Sequence, residues 1–591
     1  MSLYLSLIDF VVLLLFLLVS ASFGVYHACR GGHQRSADEY LLADRSMHPI
    51  PVAISVVVSA LSAVTYLGVP AEIYVHGPQY GIVVGNKLIV LFFVVFSFCP
   101  VLYRLKLTSI NEYLEIRFNR HVRYLCAGII ISAFPIFMGI SIYGPALALN
   151  AVSGLSLPGS IIVSGFVCTF YSTIGGIKAV MWADVFQSMI MLCGFLVTAI
   201  ACCIQVGGLD EVFHINARDG RDTVFDFRID PRVRHSFWAV FFGLGIQSAS
   251  YIGCSQMIVQ RYMTCRTLRQ SQAAAGIGTS LMGLVELIAV ITGVCMYAFY
   301  AGCDPVSSGK VSRADQLMVY IVVDLFENTP GVAGFIISAV FSSALSTTSS
   351  GINAIAAVVG YDVIKTQFPG IQGVKFTFVL KAVSVIFGLI SILTAFLASI
   401  MGPILPLTLT IAGAFMSPIF GVFCLGIFFP WSNAKGALAG LICALATGIW
   451  LVIGSQMYPP VSEDPPLFTD QCDDILSMNG TTMMTSLVEP TTSATIQAVG
   501  GLPMIAQIYS LSYAYLAPLN TCITIFVGMI VSLLTGPTDI ATLDPTLVSP
   551  LIRTVCCCKT RGRDDEIKMK ETSGPIYELV ETKLKGKRTE V

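Results

Sequence analysis

The 591-residue chain is 55% hydrophobic and only 12% charged, with a formal net charge of −1, and its mean hydropathy is +0.78. Soluble domains carry about 25% charged residues, so a soluble fold is excluded, and no basic surplus offers a nucleic acid anything to bind. What remains is a polytopic membrane protein whose first partner is the lipid bilayer.

Apolar spans of about 20 residues are predicted at roughly 6–27, 48–72, 79–103, 124–150, 157–177, 181–204, 236–258, 270–300, 331–360, 376–400, 404–430, 436–457 and 515–536, about thirteen helices in all. The first run, LIDFVVLLLFLLVSASFGVYHA, lacks the basic flank and small-residue cleavage site of a signal peptide. It reads as a retained helix with the N-terminus outside. The second, AISVVVSALSAVTYLGVPAEIY, is interrupted by Ser59, Ser62, Thr65, Gly68 and Pro70. Such a segment can unwind, and unwound backbone survives in a membrane only where protein or a cavity shields it. Its freed carbonyls are hard oxygen ligands suited to an alkali cation.

In the third span Lys87 lies about ten residues deep, where a cation is costly unless paired. A substrate carboxylate is one expected partner; snorkelling or a resident acid such as Asp184 is the other. Charge in the loops follows the positive-inside rule. Arg30, Arg35 and Arg45 follow span one; Arg104, Lys106, Arg117, Arg120 and Arg123 follow span three; Arg261, Arg266, Arg269, Lys365 and Lys375 mark later inner loops. The segment 205–235 breaks the pattern with five arginines, but six acids balance them, as in a small folded external loop.

The seventh span, FFGLGIQSASYIGCSQ, repeats the interrupted character of the second through Gly243, Gly245, Gln247, Ser248, Ser250 and Gly253. Two broken helices five spans apart predict an inverted repeat with a midplane site between its halves. In the ninth span, SSALSTTSS (Ser342–Ser350) packs seven hydroxyls into nine residues. On a helix Ser343, Ser346, Thr347 and Ser350 share one face. Hydroxyls and freed carbonyls together suit sodium; the plainer reading is that they allow close helix packing and back-bond to their own carbonyls.

The eighteen Cys show no CxxC spacing, so metal binding is not expected. Cys303 and Cys472 fall in external segments where a disulfide is permitted, and Cys556–Cys558 stand where palmitoylation occurs. Asn479-Gly480-Thr481 is a glycosylation acceptor in the long external segment 458–514. The tail from about residue 537 has a disordered composition. It ends in Thr589-Glu590-Val591, the form that adds as a strand to a PDZ groove, and carries Tyr577-Glu578-Leu579-Val580, similar to a tyrosine sorting signal. Seven His, mostly near loops, form no catalytic spacing, so an enzyme is not expected, nor is a channel, for want of a filter sequence.

YSTIGGIKAVMWADVFQ (Tyr171–Gln187), with its Gly-Gly, Trp, Asp and Gln, resembles the signature region of the sodium/solute symporter family. YLGVPAEIY (66–74), LYRLKLTSINEYLEIRFN (102–119), YGPALALNAVSGL (143–155), VQRY (259–262), CDP (303–305) and LSTTSSGINAIAAV (345–358) extend the likeness to the animal branch of sodium-coupled iodide, multivitamin and monocarboxylate transporters. The resemblance implies an all-α, LeuT-like five-plus-five inverted repeat with one helix before it and two after. It implies a sodium site from the backbone oxygens of Val58, Leu61 and Ala344 with the hydroxyls of Ser346 and Thr347, and an accessory cation region around Ser59, Asp184, Gln187 and Gln256. Members that carry iodide have a Gln at the position of Thr65 and an aromatic at that of Ala60, so a different pocket is expected here, with Ala60, Thr65, Lys87 and Ser248 as its candidate lining.

The expected organisation is a first helix and inner loop (1–47), two repeats (48–204 and 236–430) separated by the external loop 205–235, two further helices with a long glycosylatable loop (431–536), and a cytoplasmic tail (537–591). The expected function is sodium-driven import of a small organic anion, a monocarboxylate or a carboxylated vitamin such as biotin or pantothenate, across the plasma membrane, with sodium as coupling ion and no other cofactor. The alternatives are an inorganic-anion symporter of the iodide type and a non-transporting sensor on a transporter scaffold.

Overall fold

A computed structural model describes residues 5–30, 37–458, 464–472 and 504–552. Asn479, the Tyr577 motif, Cys556–Cys558 and the C-terminal Thr589-Glu590-Val591 lie outside the described residues. Within them the chain is helical, with no β-structure beyond an isolated Met47–Cys265 bridge.

The principal elements are α1 (Leu7–Arg30), α2 (Pro49–Ala60), α3 (Val64–His76), α4 (Pro78–Leu105), α5 (Asn111–Arg117), α6 (Arg120–Ser153), α7 (Leu157–Val206) and α8 (Leu209–Arg218). There follow α9 (Ala239–Cys254), α10 (Gln256–Tyr262), α11 (Leu268–Phe299), α12 (Leu317–Leu325), α13 (Val332–Gln367), α14 (Gly373–Ala398), α15 (Ile404–Phe428), α16 (Ala434–Met457) and α17 (Tyr513–Leu534). Among the described residues nine helices are long and apolar enough to cross a membrane, ten if the bent pair α2 and α3 counts as one span. The other three expected spans fall on shorter apolar helices, Leu7–Ser20, Leu157–Phe170 and Ala239–Cys254. The 50 residues of α7 are assigned helical throughout. At about 1.5 Å per residue that is too long for a single crossing of a core about 30 Å thick, and it covers both the fifth and sixth expected spans.

Local chemistry sets the helix ends. The side chain of Asn119 accepts from Val122 N at 3.0 Å to open α6, Asn433 accepts from Gly436 N at 2.8 Å to open α16, and Gly154 closes α6 at φ 71, the left-handed conformation that a residue without Cβ adopts freely. In lipid, helix association rests on close packing rather than on removing apolar surface from water, so burial sorts the helices. In its most apolar 18-residue window α13 is 89% buried, whereas Ile177–Val206, α16 and α17 are each 39% buried. The hydroxyl-bearing α13 is therefore central, packed against α1, α2, α6, α7, α10 and α14, and the other three present much of their surface to lipid.

The two interrupted spans differ from each other. The second is broken as expected: α2 and α3 meet at 61° across Leu61–Ala63. The seventh runs on through its glycines. It begins with a π turn at Ala239–Gly243 and continues helical to Cys254, and its break comes only at Ser255 (φ −80, ψ 125). The expected mid-span unwinding there is corrected, because these glycines serve packing. A Cβ on Gly245 would stand 2.6 Å from Ile89 Cδ1.

The 205–235 loop is folded, as its balanced charge suggested. Arg218–Asp219, Arg228–Asp226 and Arg232–Asp230 are ion pairs at 2.9, 2.8 and 2.6 Å, which hold the three carboxyl groups below their usual range. Cys303 and Cys472 form a disulfide with Cα atoms 5.0 Å apart. Beside it Asp304 N donates to Phe468 O at 2.8 Å and Gln471 N to Gly302 O at 3.0 Å. The strap 464–472 is thus sewn to the turn after α11. Arg221 is 2% exposed and caps the end of α3 by donating to Tyr74 O at 2.6 Å while it reaches Pro465 O and Pro466 O at 3.2 Å.

Candidate functional site

At the break, Leu61 leaves the helical region (φ −97, ψ 87), and its amide makes the last bond of α2, to Val57 O at 2.8 Å. Ser62 starts α3 by accepting from Val64 N on its hydroxyl at 3.1 Å and from Thr65 N and Tyr66 N on its carbonyl at 2.9 and 3.1 Å. The carbonyls from Val58 to Leu61 stand at a helix C-terminus and have no succeeding turn of amides to accept from. Protein shields this backbone from lipid, since Val58 and Leu61 are 2% and 1% exposed.

The middle of α13 faces the break. Ala344, Ser346 and Thr347 are fully buried. Thr347 Oγ1 donates to Ser59 O at 3.4 Å, Ser59 Oγ lies 3.1 Å from Ser350 Oγ, and Tyr251 OH donates to Ser59 O at 3.4 Å. The hydroxyl stripe divides its labour. Ser343 back-bonds to Val340 O at 2.7 Å and Ser350 to Ser346 O at 2.5 Å, the packing role, while Ser346 and Thr347 donate to partners on other helices and Ser350 also meets Ser59 and Arg261 across the interface.

Asp184 joins this face to a buried ion pair. Its carboxylate accepts from Ser346 Oγ at 2.6 Å, Ser55 Oγ at 2.5 Å and Ser59 Oγ at 3.4 Å, and meets Arg261 Nη2 at 3.1 Å. Arg261, 1% exposed, also donates to Ser55 Oγ at 2.7 Å and to Ser350 Oγ. Its assignment as an inner-loop cation is corrected: it lies on α10, folded against α2 and α13. An arginine three residues past an apolar run looks like a loop charge, and only the break at Ser255 turns α10 inward.

Gln187, one turn along α7 from Asp184, is fully buried, and neither its Oε1 nor its Nε2 has a hydrogen-bond partner. Gln256 stands apart from this group. Its side chain accepts from Ile110 N at 2.9 Å and donates to Thr108 O at 2.8 Å, which ties the start of α10 to the turn before α5. The geometry therefore brings together Ser59 and Asp184, with Gln187 one turn away, but commits Gln256 elsewhere.

Of the expected pocket lining, Ala60 and Thr65 flank the break and Ser248 lies on α9; all three are half-buried, whereas Ser59, Leu61, Ser62, Gln247 and Ala249 beside them are buried. Gln247 Nε2 donates to Leu409 O at 2.9 Å and fixes α9 against α15. Lys87 takes the second of its expected partners, a resident acid. Its Nζ meets Glu286 Oε2 at 2.8 Å and Oε1 at 3.0 Å, between α4 and α11, with the two residues 5% and 6% exposed. A resident acid neutralises it, Glu286 rather than Asp184, which removes the electrostatic reason for assigning Lys87 to a substrate carboxylate. Glu286 was legible as the lone acid inside LMGLVELIAV, since an ionisable residue within a membrane span needs a partner.

At the start of α15, Gly68 packs so closely that a Cβ there would stand 2.9 Å from Leu405 Cβ, and Asp315 caps the helix by accepting from Ile404 N at 3.1 Å. Glu72 on α3 meets Arg234 at 2.7 Å and His235 at 3.2 Å. His235 also lies 2.8 Å from Tyr513 OH. Burial pushes the His235 imidazole down from 6.5 to about 4 against the pull of Glu72.

A broken membrane helix facing a buried hydroxyl helix, inside a bundle of this topology, defines a secondary transporter of the LeuT-like inverted-repeat class. A solved structure of a Na+-coupled sialic acid symporter, described as substrate-bound and outward-open, shares the fold with TM-score 0.70 at 22% identity, covering 90% of this chain and 99% of that one. The chain belongs to the sodium:solute symporter family, whose model matches residues 40–444. It is 40% identical over 536 residues to sodium-coupled monocarboxylate transporter 1 of Mus musculus, covering 89% of this chain and 87% of the relative. It is 37% identical over 552 residues to sodium-coupled monocarboxylate transporter 2 of Bos taurus, covering 93% and 87%, and 38% identical over 550 residues to the human sodium/iodide cotransporter, covering 91% and 85%. The protein is a sodium-coupled solute symporter, not an enzyme, and sodium is its coupling ion.

Proposed function

We propose that this symporter imports a small organic anion, a monocarboxylate first and a carboxylated vitamin second, by alternating access across the plasma membrane. The N-terminus is outside and the tail inside, and residues 48–204 and 236–430 form the two repeats. One observation carries the sodium site: Thr347 Oγ1 reaches the freed carbonyl of Ser59 at the α2–α3 break, at 3.4 Å, with the buried Ser346 beside it on the same helix. The backbone oxygens of Val58, Leu61 and Ala344 with those two hydroxyls would hold the ion, an all-oxygen, uncharged donor set that suits reversible binding of a hard monovalent cation. Sodium there fastens α13 to the first repeat and favours the conformation with a complete substrate pocket. Ser59, Asp184 and Gln187 are the accessory cation group, supported by the unpartnered Gln187 amide.

For the substrate, support comes from the relatives named for monocarboxylates and from the small, half-buried Ala60 and Thr65 beside the break and Ser248 on α9. An external disulfide supports the orientation, since disulfides persist on the oxidising side of a membrane. The relative named for iodide keeps an inorganic anion as the second reading. Sodium-gradient uptake into proteoliposomes, with lactate, nicotinate, biotin, pantothenate and iodide as competitors, separates these. Competition by lactate and nicotinate at the lowest concentrations is the expected result; competition by iodide alone would overturn the organic-anion reading, and no gradient-driven uptake of any of them would place the substrate outside both classes.

A further inference from the structure

Behind the outer end of α15, on the side away from α3, lies a cavity of about 260 Å³. Its walls come from α15 (Ile411), α16 (Leu451, Ser455) and the start of α17 (Tyr513), and its charged groups are Arg232 and Arg234. Among the described residues no acidic side chain lines it. Each guanidinium uses its Nε and Nη2 edge on an acid outside the cavity, Arg232 on Asp230 and Arg234 on Glu72. Among the described residues neither Nη1 has a hydrogen bond to an acid.

The geometry points to a second, outer binding site for an amphiphilic monocarboxylate, with its alkyl body between α15 and α16 and its carboxylate on Arg232 and Arg234. The volume is slightly below the range of about 300–1,000 Å³ typical of pockets for drug-sized ligands, which suits a single medium-length chain. The carboxylate gains charge-assisted bonds from two arginines, and the apolar walls accept the chain. The site is separate from the break between α2 and α3, and its place gives it a consequence. The outer end of α15 seals on α3 at Gly68–Leu405, and the cavity is the space into which that end would withdraw. A ligand there wedges α15 against α3 and slows the cycle without competing for the central pocket. Arg234 adds a second link, because it shares its guanidinium with Glu72 on α3.

The test uses the full chain in lipid nanodiscs, with decanoate as probe and 1-decanol as the uncharged control. Decanoate is expected to raise the melting temperature saturably and decanol to leave it unchanged. Arg232→Gln should weaken the decanoate half-saturation about tenfold, and Ser455→Trp, which fills the cavity, should abolish the shift; Val452→Phe is the second filling variant if the first fails to fold. No shift with decanoate would overturn the proposal, as would equal shifts with decanol or a shift indifferent to both filling variants. In proteoliposomes, decanoate should lower the maximal rate of lactate uptake with its KM unchanged; a raised KM at unchanged maximal rate would place decanoate in the central pocket instead. The uptake arm rests on the monocarboxylate reading and the melting arm does not, so failure of that reading leaves binding measurable.

Discussion

Neutralising Lys87 alone, as Lys87→Met, leaves Glu286 inside the membrane without a counter-charge. The pair is closed, with Nζ 2.8 and 3.0 Å from the two carboxylate oxygens and both residues buried, at 5% and 6% exposure. Removing one member of such a pair costs about 3–5 kcal/mol, whereas replacing both by apolar groups of similar volume is often neutral. Lys87→Met and Glu286→Met should therefore each be destabilising by about that amount, and the double variant should recover most of it, with a coupling energy of several kcal/mol. The assay is a double-mutant cycle on urea-unfolding stability in nanodiscs, with lactate uptake measured in parallel. The single variants should lose uptake through lost folded protein, and the double should regain it with KM near the parent value. A double variant as stable as the parent but with KM raised tenfold or more would show that Lys87 holds the substrate, and additive losses would show that the two side chains do not act as a pair.

Ser346→Ala and Thr347→Ala each remove one hydroxyl from the face opposite the break, so the sodium concentration for half-maximal uptake should rise severalfold in each; both variants retaining the parent sodium dependence would sink the site. His235 is held near 4 against 6.5 for the free group; between those values the unfolded chain binds the additional proton, so stability should fall as pH drops from about 6.5 to about 4. His235→Gln should flatten that slope, read as melting temperature against pH, and an unchanged slope would contradict the buried neutral imidazole. Cys472→Ser opens a crosslink between residues 169 apart in sequence. It should cost about 2–5 kcal/mol and make stability insensitive to external reductant, while the parent loses a similar amount when reduced; equal behaviour would mean the bridge does not restrain the strap.

Much of the fold could be read along the chain, because membrane spans announce themselves by length and hydropathy and a lipid environment permits unwound backbone only where something shields it. Ser59, Ser62, Gly68 and Pro70 marked the α2–α3 break, and the period of Ser346, Thr347 and Ser350 marked the face that meets it. These are local properties, set within one or two helical turns. Partnership between helices is not local. The ion pairs Lys87–Glu286 and Asp184–Arg261 join residues 199 and 77 positions apart, and nothing in either segment names the other. Gly245 illustrates the same limit, since a glycine that loosens a helix and one that admits a neighbour look identical until Ile89 is seen against it. Residue pattern alone thus determined the membrane class, the broken helix and the oxygen-rich face. Packing decided which charges are spent on each other, where the second break falls and which glycines are contacts, because a buried charge or a bare Cα takes its meaning only from the atoms that tertiary structure brings beside it.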